Sequence, residues 1–141
     1  ALSSAVTELQ YEGKVSFGRN LKEVTRILNF FKRNLFGHMD KEDKFFNVVS
    51  REIPKLDPVF HILFAEHKEI KVNLEVLLFL VCDLEAEKGT NKSTQTLAKL
   101  RDKTNYLLYL LRHHVQVEDE SFAHVLGASV WPNNEAAKNF G

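Results

Sequence analysis

Residues 60–84, FHILFAEHKEIKVNLEVLLFLVCDL, decide the fold. Their apolar residues recur at intervals of three and four, a pattern that a helix displays as one stripe along a single face. The stripe contains, in order, Phe60, Leu63, His67, Ile70, Leu74, Leu77, Val81 and Leu84. The segment therefore predicts a long helix whose buried face carries one polar residue, His67.

A second segment with this alternation lies nearer the N-terminus. Its apolar members are Leu21, Val24, Leu28, Phe31, Leu35, Phe45 and Val49. Two places of the stripe, His38 and Glu42, are ionisable rather than apolar. We therefore predict that both side chains point into the same seam between helices as the neighbouring apolar residues.

A third segment lies nearer the C-terminus and repeats the arrangement. Its stripe runs through Leu97, Leu100, Thr104, Leu107, Leu111, His114 and Glu118 and, after a slip of one place, Phe122 and Val125. Here too a histidine and a glutamate stand four residues apart, and i and i+4 share one face of a helix.

Glycine and proline mark the breaks between these segments, at residues 13–18, 54–58, 89–93 and 127–132. Three helices of roughly 28 to 35 residues joined by short turns predict antiparallel neighbours. Residues 2–12 predict a shorter first helix. Asp57, and either Asn91 or Ser93, are expected N-caps. The fold class is thus all-α, an up-and-down antiparallel four-helix bundle with a short or incomplete first helix.

Length and composition limit the function. The 141 residues predict a single domain, residues 1–141, with its core at about 21–126. Lysine plus arginine equals aspartate plus glutamate at 19 each, which argues against nucleic acid or an anionic membrane as partner. The longest apolar run, residues 76–82, is too short to span a bilayer. With a single cysteine and no signal-like N-terminus, we expect a soluble, cytoplasmic protein.

The five ionisable seam groups are predicted to share one layer of the bundle. In two antiparallel helices, residues that are equally far from the turn between them lie at the same height. A turn near residue 90 therefore places His67 level with His113 or His114, and His114 is the one on the seam. Reflection about the turn at residues 54–58 places His38 and Glu42 about one helical turn from His67, at about 1.5 Å per residue.

Three imidazoles and two carboxylates form a ligand set suited to iron, manganese or zinc. Burying two carboxylates together without a cation would force protonation or cost several kcal/mol, whereas two metal ions bridged by Glu42 and Glu118 would remove that cost. The HExxH pattern of zinc proteases and cysteine pairs are absent. The alternative is a buried histidine and glutamate hydrogen-bond network without metal.

The residues also resemble a known family. HMDKEDKFF from His38 and HVQVEDESF from His114 share His-x-x-x-Glu-Asp-x-x-Phe, and FAEHKEI surrounds His67 between them. This is similar to the hemerythrin-like, or HHE cation-binding, family over residues 21–126. The resemblance implies a four-helix bundle around two non-haem iron ions, with His38, His67 and His114 as terminal ligands and Glu42 and Glu118 as bridges.

Three features depart from that family. Hemerythrin proper has a second histidine where this chain has Lys71, and it ends with a His-x-x-x-x-Asp spacing that Asp119 would satisfy, although the seam favours Glu118. Members also supply a histidine from the first helix, and none precedes His38. An antiparallel first helix at residues 2–12 is expected to end short of the metal layer. Glu8, Tyr11 and Glu12 are the nearby candidates.

We therefore expect a non-haem di-iron protein that binds dioxygen or senses oxygen, peroxide or iron, as a binder or sensor rather than an enzyme. One alternative is a di-iron peroxidase or nitric oxide-handling enzyme. Another is a metal-free helical interaction bundle. The expected partner is dioxygen, another diatomic molecule or peroxide. No nucleic acid or membrane is expected, and a homodimer or a partner domain is left open.

Overall fold

A computed structural model describes residues 1–11, 14–88 and 90–125, and the regular elements in these ranges are helices without a strand. Helix α1 spans Leu2–Tyr11, α2 spans Lys14–Glu52, α3 spans Asp57–Ala86 and α4 spans Ser93–Val125. A single 3₁₀ turn, Pro54–Leu56, links α2 to α3. The all-α class predicted from the periodicity is confirmed.

The helices form a ring in chain order. Helix α3 packs against α2 and α4, and α1 packs against α2 and closes the ring against α4. The first helix has 10 residues and α2 has 39. At about 1.5 Å per residue, α1 is about 15 Å long and can cover only the N-terminal part of an α2 of about 58 Å. The predicted four-helix bundle with a short first helix is confirmed.

Two apolar clusters form the core. The larger one takes residues from all four helices, among them Leu9 of α1, Leu28 of α2, Leu74 of α3 and Leu107 of α4. The smaller one comprises Phe46, Leu56, Phe60 and Leu63. Burial of one such side chain contributes about 1.5 to 3 kcal/mol. The ionisable seam residues lie along the chain between these two clusters.

The stripes of α3 and α4 follow the sequence prediction. All eight predicted places of α3 are buried. In α4 the buried places are Leu100, Thr104, Leu107, Leu111, His114 and Glu118, while Leu97 is partly buried. The side chains of Phe122 and Val125 lie outside the described residues.

The stripe of α2 differs from the prediction by one place in its second half. Beyond Leu35 the buried residues are Met39, Glu42 and Phe46, whereas His38 and Phe45 are exposed. Both series alternate threes and fours, so periodicity alone could not separate them. Packing decides the register, because the ring of Phe46 is stacked on the ring of Phe60 with 5.1 Å between centroids.

Two predicted helix ends also need correction. Helix α2 begins at Lys14 and runs through Gly18, so the predicted break at residues 13–18 is wrong over most of its length and α2 is longer than predicted. Helix α3 has Leu56 as its N-cap, and Asp57 is its first helical residue. The Asp57 carboxylate accepts a hydrogen bond from Ser50 Oγ of α2, and so it joins two elements rather than capping one.

Among the described residues, no helix has the length and apolar character that crossing a bilayer requires.

Candidate metal centre

Three helices bring four ionisable side chains to one point. These are Glu42 of α2, His67 of α3, and His114 and Glu118 of α4. One ligand atom from each lies within 4.8 Å of the others. All four residues are at least nine-tenths buried. The sequence prediction that the ionisable seam groups share one layer therefore holds for these four residues, which are called the tetrad below.

Two imidazoles face each other at the centre of the tetrad. The Nε2 atoms of His67 and His114 are 2.9 Å apart. Behind each ring, Nδ1 lies 2.6 Å from a carboxylate oxygen, of Asp43 for His67 and of Glu66 for His114. Ionised carboxylates only accept hydrogen bonds, so both Nδ1 atoms carry a proton and donate it. Both Nε2 atoms then point to the same place, where a shared proton or a cation is needed.

The two glutamates of the tetrad approach the same place. Glu42 Oε2 lies 3.1 Å from His67 Nε2, and its other oxygen, Oε1, lies 2.5 Å from His38 Nε2. Glu118 Oε1 lies 2.7 Å from His114 Nε2 and 3.7 Å from His67 Nε2. Glu42 thus offers one oxygen to each of two imidazoles.

Glu118 Oε1 is buried and forms no hydrogen bond. Its short distance to His114 Nε2 is a close approach without the direction that a hydrogen bond requires. A buried carboxylate oxygen without a donor is costly unless a cation compensates it. The tetrad therefore fits a metal ion: it offers two imidazole nitrogens and two carboxylates, and one of their oxygens forms no hydrogen bond within the protein.

The electrostatics of the site follow from these contacts. Burial acts to raise the pKa of Glu42, but hydrogen bonds from His38 and His67 outweigh it and lower that pKa to about 2. Burial acts to lower the pKa of His67, but the neighbouring carboxylates of Glu118, Glu42 and Asp43 raise it to about 10. The pKa of His114 is likewise raised against burial by Glu118 and Glu66. In the absence of metal, the site therefore holds a proton at neutral pH.

His38 lies at the edge of the site rather than in the seam. Its side chain is 53% exposed, and its Nε2 contacts Glu42. A hydrogen bond to Glu42 raises the pKa of His38. The seam place predicted for His38 is occupied by Met39, because α2 turns its buried face toward Phe46 and the smaller cluster.

The structure also places the remaining sequence candidates. In the seam, Glu118 and not Asp119 joins the tetrad. Lys71 pairs with Asp40 at 2.8 Å on the outer surface. In α1, Glu8 is exposed and not a tetrad member, while the side chain of Tyr11 and all of Glu12 lie outside the described residues.

Sequence reasoning missed the roles of Asp43 and Glu66. Both stand in the stretches that carry the family resemblance, each directly beside a tetrad residue in the chain. Neither falls on an apolar stripe, so a search for seam places passes over them. A carboxylate directly after Glu42 and another directly before His67 were the available signal. His113, predicted off the seam, is about half exposed and its Nδ1 lies 3.4 Å from Glu66 Oε1.

Aromatic packing closes one side of the site. The ring of Phe46 lies nearly parallel to the His67 imidazole, with 6.0 Å between centroids. It also contacts the rings of Phe60 and Phe64. This wall separates the tetrad from solvent on the side of the smaller cluster, and a low local dielectric strengthens each charge interaction within it.

One comparison with known proteins gives a match. The family model for the hemerythrin HHE cation-binding domain matches residues 1–126, which include α1, all members of the tetrad and His38. No curated protein and no solved structure matches the chain.

Proposed function

Because the chain belongs to the hemerythrin HHE cation-binding family, we propose that it binds two non-haem iron ions and through them binds dioxygen or senses oxygen, peroxide or iron. The observation that carries the proposal is the tetrad. Two imidazole nitrogens and two carboxylate oxygens converge within 4.8 Å in a buried layer, and one of those oxygens has no hydrogen bond.

The proposed ligands are the five residues identified from the sequence. His67 and His114 would each give Nε2, and the half-exposed His38 would also give Nε2. Glu42 and Glu118 would bridge the two ions. The divided contacts of Glu42 support a bridging role, because its Oε1 faces His38 and its Oε2 faces His67.

The donor set is compatible with iron, and the proposed reaction with dioxygen or peroxide selects it. Imidazole together with carboxylate suits iron, manganese and zinc, and no cysteine belongs to the tetrad. When bound, iron would supply the reversible change of oxidation state that binding of dioxygen or reaction with peroxide requires. The protein would supply a dry pocket, fixed imidazoles and carboxylates that neutralise the added positive charge.

Iron uptake and its response to air test the proposal. Metal-free protein would be loaded with ferrous iron under nitrogen, separated from excess metal, and analysed for iron per chain. We expect about two ions per chain, as the proposal states, and an absorption change in the visible and near-ultraviolet on admission of air. Substoichiometric iron without a spectral change would contradict the proposal.

The matched variants are Glu118→Ala and Asp119→Asn. Glu118→Ala removes a tetrad carboxylate and should abolish stoichiometric iron binding. Asp119→Asn changes the neighbouring carboxylate, which is not in the tetrad, and should retain it. The reverse result would assign the role to Asp119.

A second candidate function is turnover of peroxide or nitric oxide. It is favoured by the exposure of His38, which leaves one side of the centre accessible to a small molecule. Steady-state consumption of peroxide by iron-loaded protein tests it, with Glu118→Ala as the inactive comparison. Catalytic turnover at a constant iron content would favour the enzyme, and a single reaction per chain would favour the binder or sensor.

A further inference from the structure

The two halves of the proposed centre are built differently. In one half, His67 and His114 are almost completely buried, and each has a carboxylate behind its ring. In the other half, His38 is half exposed. Within the described chain, Glu42 is the one carboxylate in ion-pair contact with His38, and it contacts the same Nε2 that a metal would need.

The carboxylates behind the buried rings connect neighbouring helices. Asp43 reaches from α2 to His67 of α3, and Glu66 reaches from α3 to His114 of α4. Each bond fixes the orientation of the ring and places a proton on Nδ1, so that Nε2 is the atom that faces the cation position. The imidazoles are therefore oriented before any ion arrives, and little conformational entropy remains to be lost on binding.

We propose that Asp43 and Glu66 are positioning residues that make the half with His67 and His114 the tight position of the centre, which fills first. The half with His38 binds the second ion more weakly, because its half-exposed side chain must be ordered when the ion binds. This inference rests on the proposed function, since it concerns the order and affinity of metal binding at that same centre.

Titration of metal-free protein with cobalt(II) under nitrogen tests the order of binding. Visible absorption reports the coordination of each ion, and the free metal is set with a competing chelator. We expect two steps, the first at least about tenfold tighter than the second. His38→Ala should remove the second step and retain the first. A single step of two equal ions, or loss of the first step in His38→Ala, would overturn the proposal.

The positioning role is tested with Asp43→Asn and Glu66→Gln, which keep the size of each side chain. Each should weaken the first step by about 10- to 100-fold, as expected for the hydrogen-bond partner of a metal-binding histidine. The matched controls are Asp40→Asn, one turn away on α2, and Glu69→Gln, one turn away on α3. Both control residues are exposed and contact no tetrad member. Equal effects of variant and control would overturn the role.

Nitrogen NMR of the zinc-loaded protein separates positioning from a general structural effect. In the wild type, Nδ1 of His67 and of His114 should carry a proton, and each Nε2 should show the shift of a metal-bound nitrogen. Asp43→Asn should move the His67 Nδ1 signal and leave His114 unchanged, whereas Glu66→Gln should do the opposite. Equal movement of both rings in both variants would indicate loss of structure and contradict positioning.

Failure of this inference is distinguishable from failure of the proposed function. Wild-type protein that takes up neither iron nor cobalt contradicts the proposed function and this inference together. Wild-type protein that takes up two ions, while Asp43→Asn and Glu66→Gln bind as tightly as their controls, contradicts this inference alone.

Discussion

The larger apolar cluster and the tetrad occupy the same seam of the bundle but depend on opposite physics. The cluster gains stability from the removal of apolar surface from water, and Leu28, Leu74 and Leu107 are fully buried there. The tetrad buries two carboxylates and two imidazoles, which costs free energy unless each charge is compensated. The comparison teaches that the cluster stabilises the fold by burial alone, whereas the tetrad needs compensation of its charges to be stable in the same seam.

The largest expected effect is in the apolar cluster. Leu74→Ala should lower the free energy of unfolding by about 2 to 5 kcal/mol, because Leu74 is fully buried and the substitution leaves a cavity. Urea denaturation of the metal-free protein measures it. Val72→Ala, at a side chain that is 53% exposed on the same helix, should change stability by no more than about 0.5 kcal/mol. Similar losses in both would mean that the cluster does not dominate stability.

The next effect concerns the tetrad and depends on metal. An ion that binds the folded chain alone stabilises it by about 2.7 kcal/mol at a free concentration 100 times the Kd. We therefore expect the melting temperature to rise on addition of ferrous iron under nitrogen and to fall back on chelation. Glu118→Gln should lose most of this rise in melting temperature. Leu74→Ala should show the full rise, although its melting temperature without iron is lower than that of the wild type.

An unchanged melting temperature with and without iron would support the metal-free interaction bundle. It would also mean that the hydrogen bonds of Asp43 and Glu66 belong to a buried polar network that holds no metal.

The smallest effect, taken per pH unit, is the pH dependence of metal binding. In the metal-free protein the pKa of His67 is raised to about 10, so its contribution to stability is complete below its ordinary pKa of 6.5 and is lost as pH rises through about 10. The pKa of Glu42 is lowered to about 2, so its contribution is complete above 4.5 and is lost as pH falls through about 2. Glu42 and His67 together stabilise the metal-free fold most between pH 4.5 and pH 6.5, which are their ordinary pKa values.

Metal binding becomes stronger as pH rises, whereas the stability contributed by His67 becomes smaller, because the ion must displace the proton held at His67. Between about pH 6 and about pH 9, the free energy of cobalt binding should become more favourable by about 1.4 kcal/mol per pH unit for each proton released. Calorimetry in two buffers of different ionisation enthalpy counts those protons. An affinity that is constant over this range would contradict a proton held at the metal position.

The sequence was sufficient to predict the buried face of a helix where only one series of three- and four-residue steps fitted the apolar residues. The stripes of α3 and α4 could be predicted because every three- or four-residue step led to an apolar residue, to the small Thr104, or to His67, His114 or Glu118. The α2 stripe could not, since beyond Leu35 two series of equal quality passed through Met39 and His38. A helix turns by about 100° per residue, so neighbouring positions differ in direction but not in periodicity.

The sequence alone determined the helical class, the short first helix, the height of the polar layer and four residues that meet in it. These follow from periodicity, turn positions and helix length, which are local quantities. Only the tertiary structure decided that Phe46 is buried while Phe45 and His38 are exposed, because that choice depends on which surfaces of α3 meet α2. Only the tertiary structure also placed Asp43 and Glu66 behind the imidazoles, because hydrogen bonds between helices have no period along the chain.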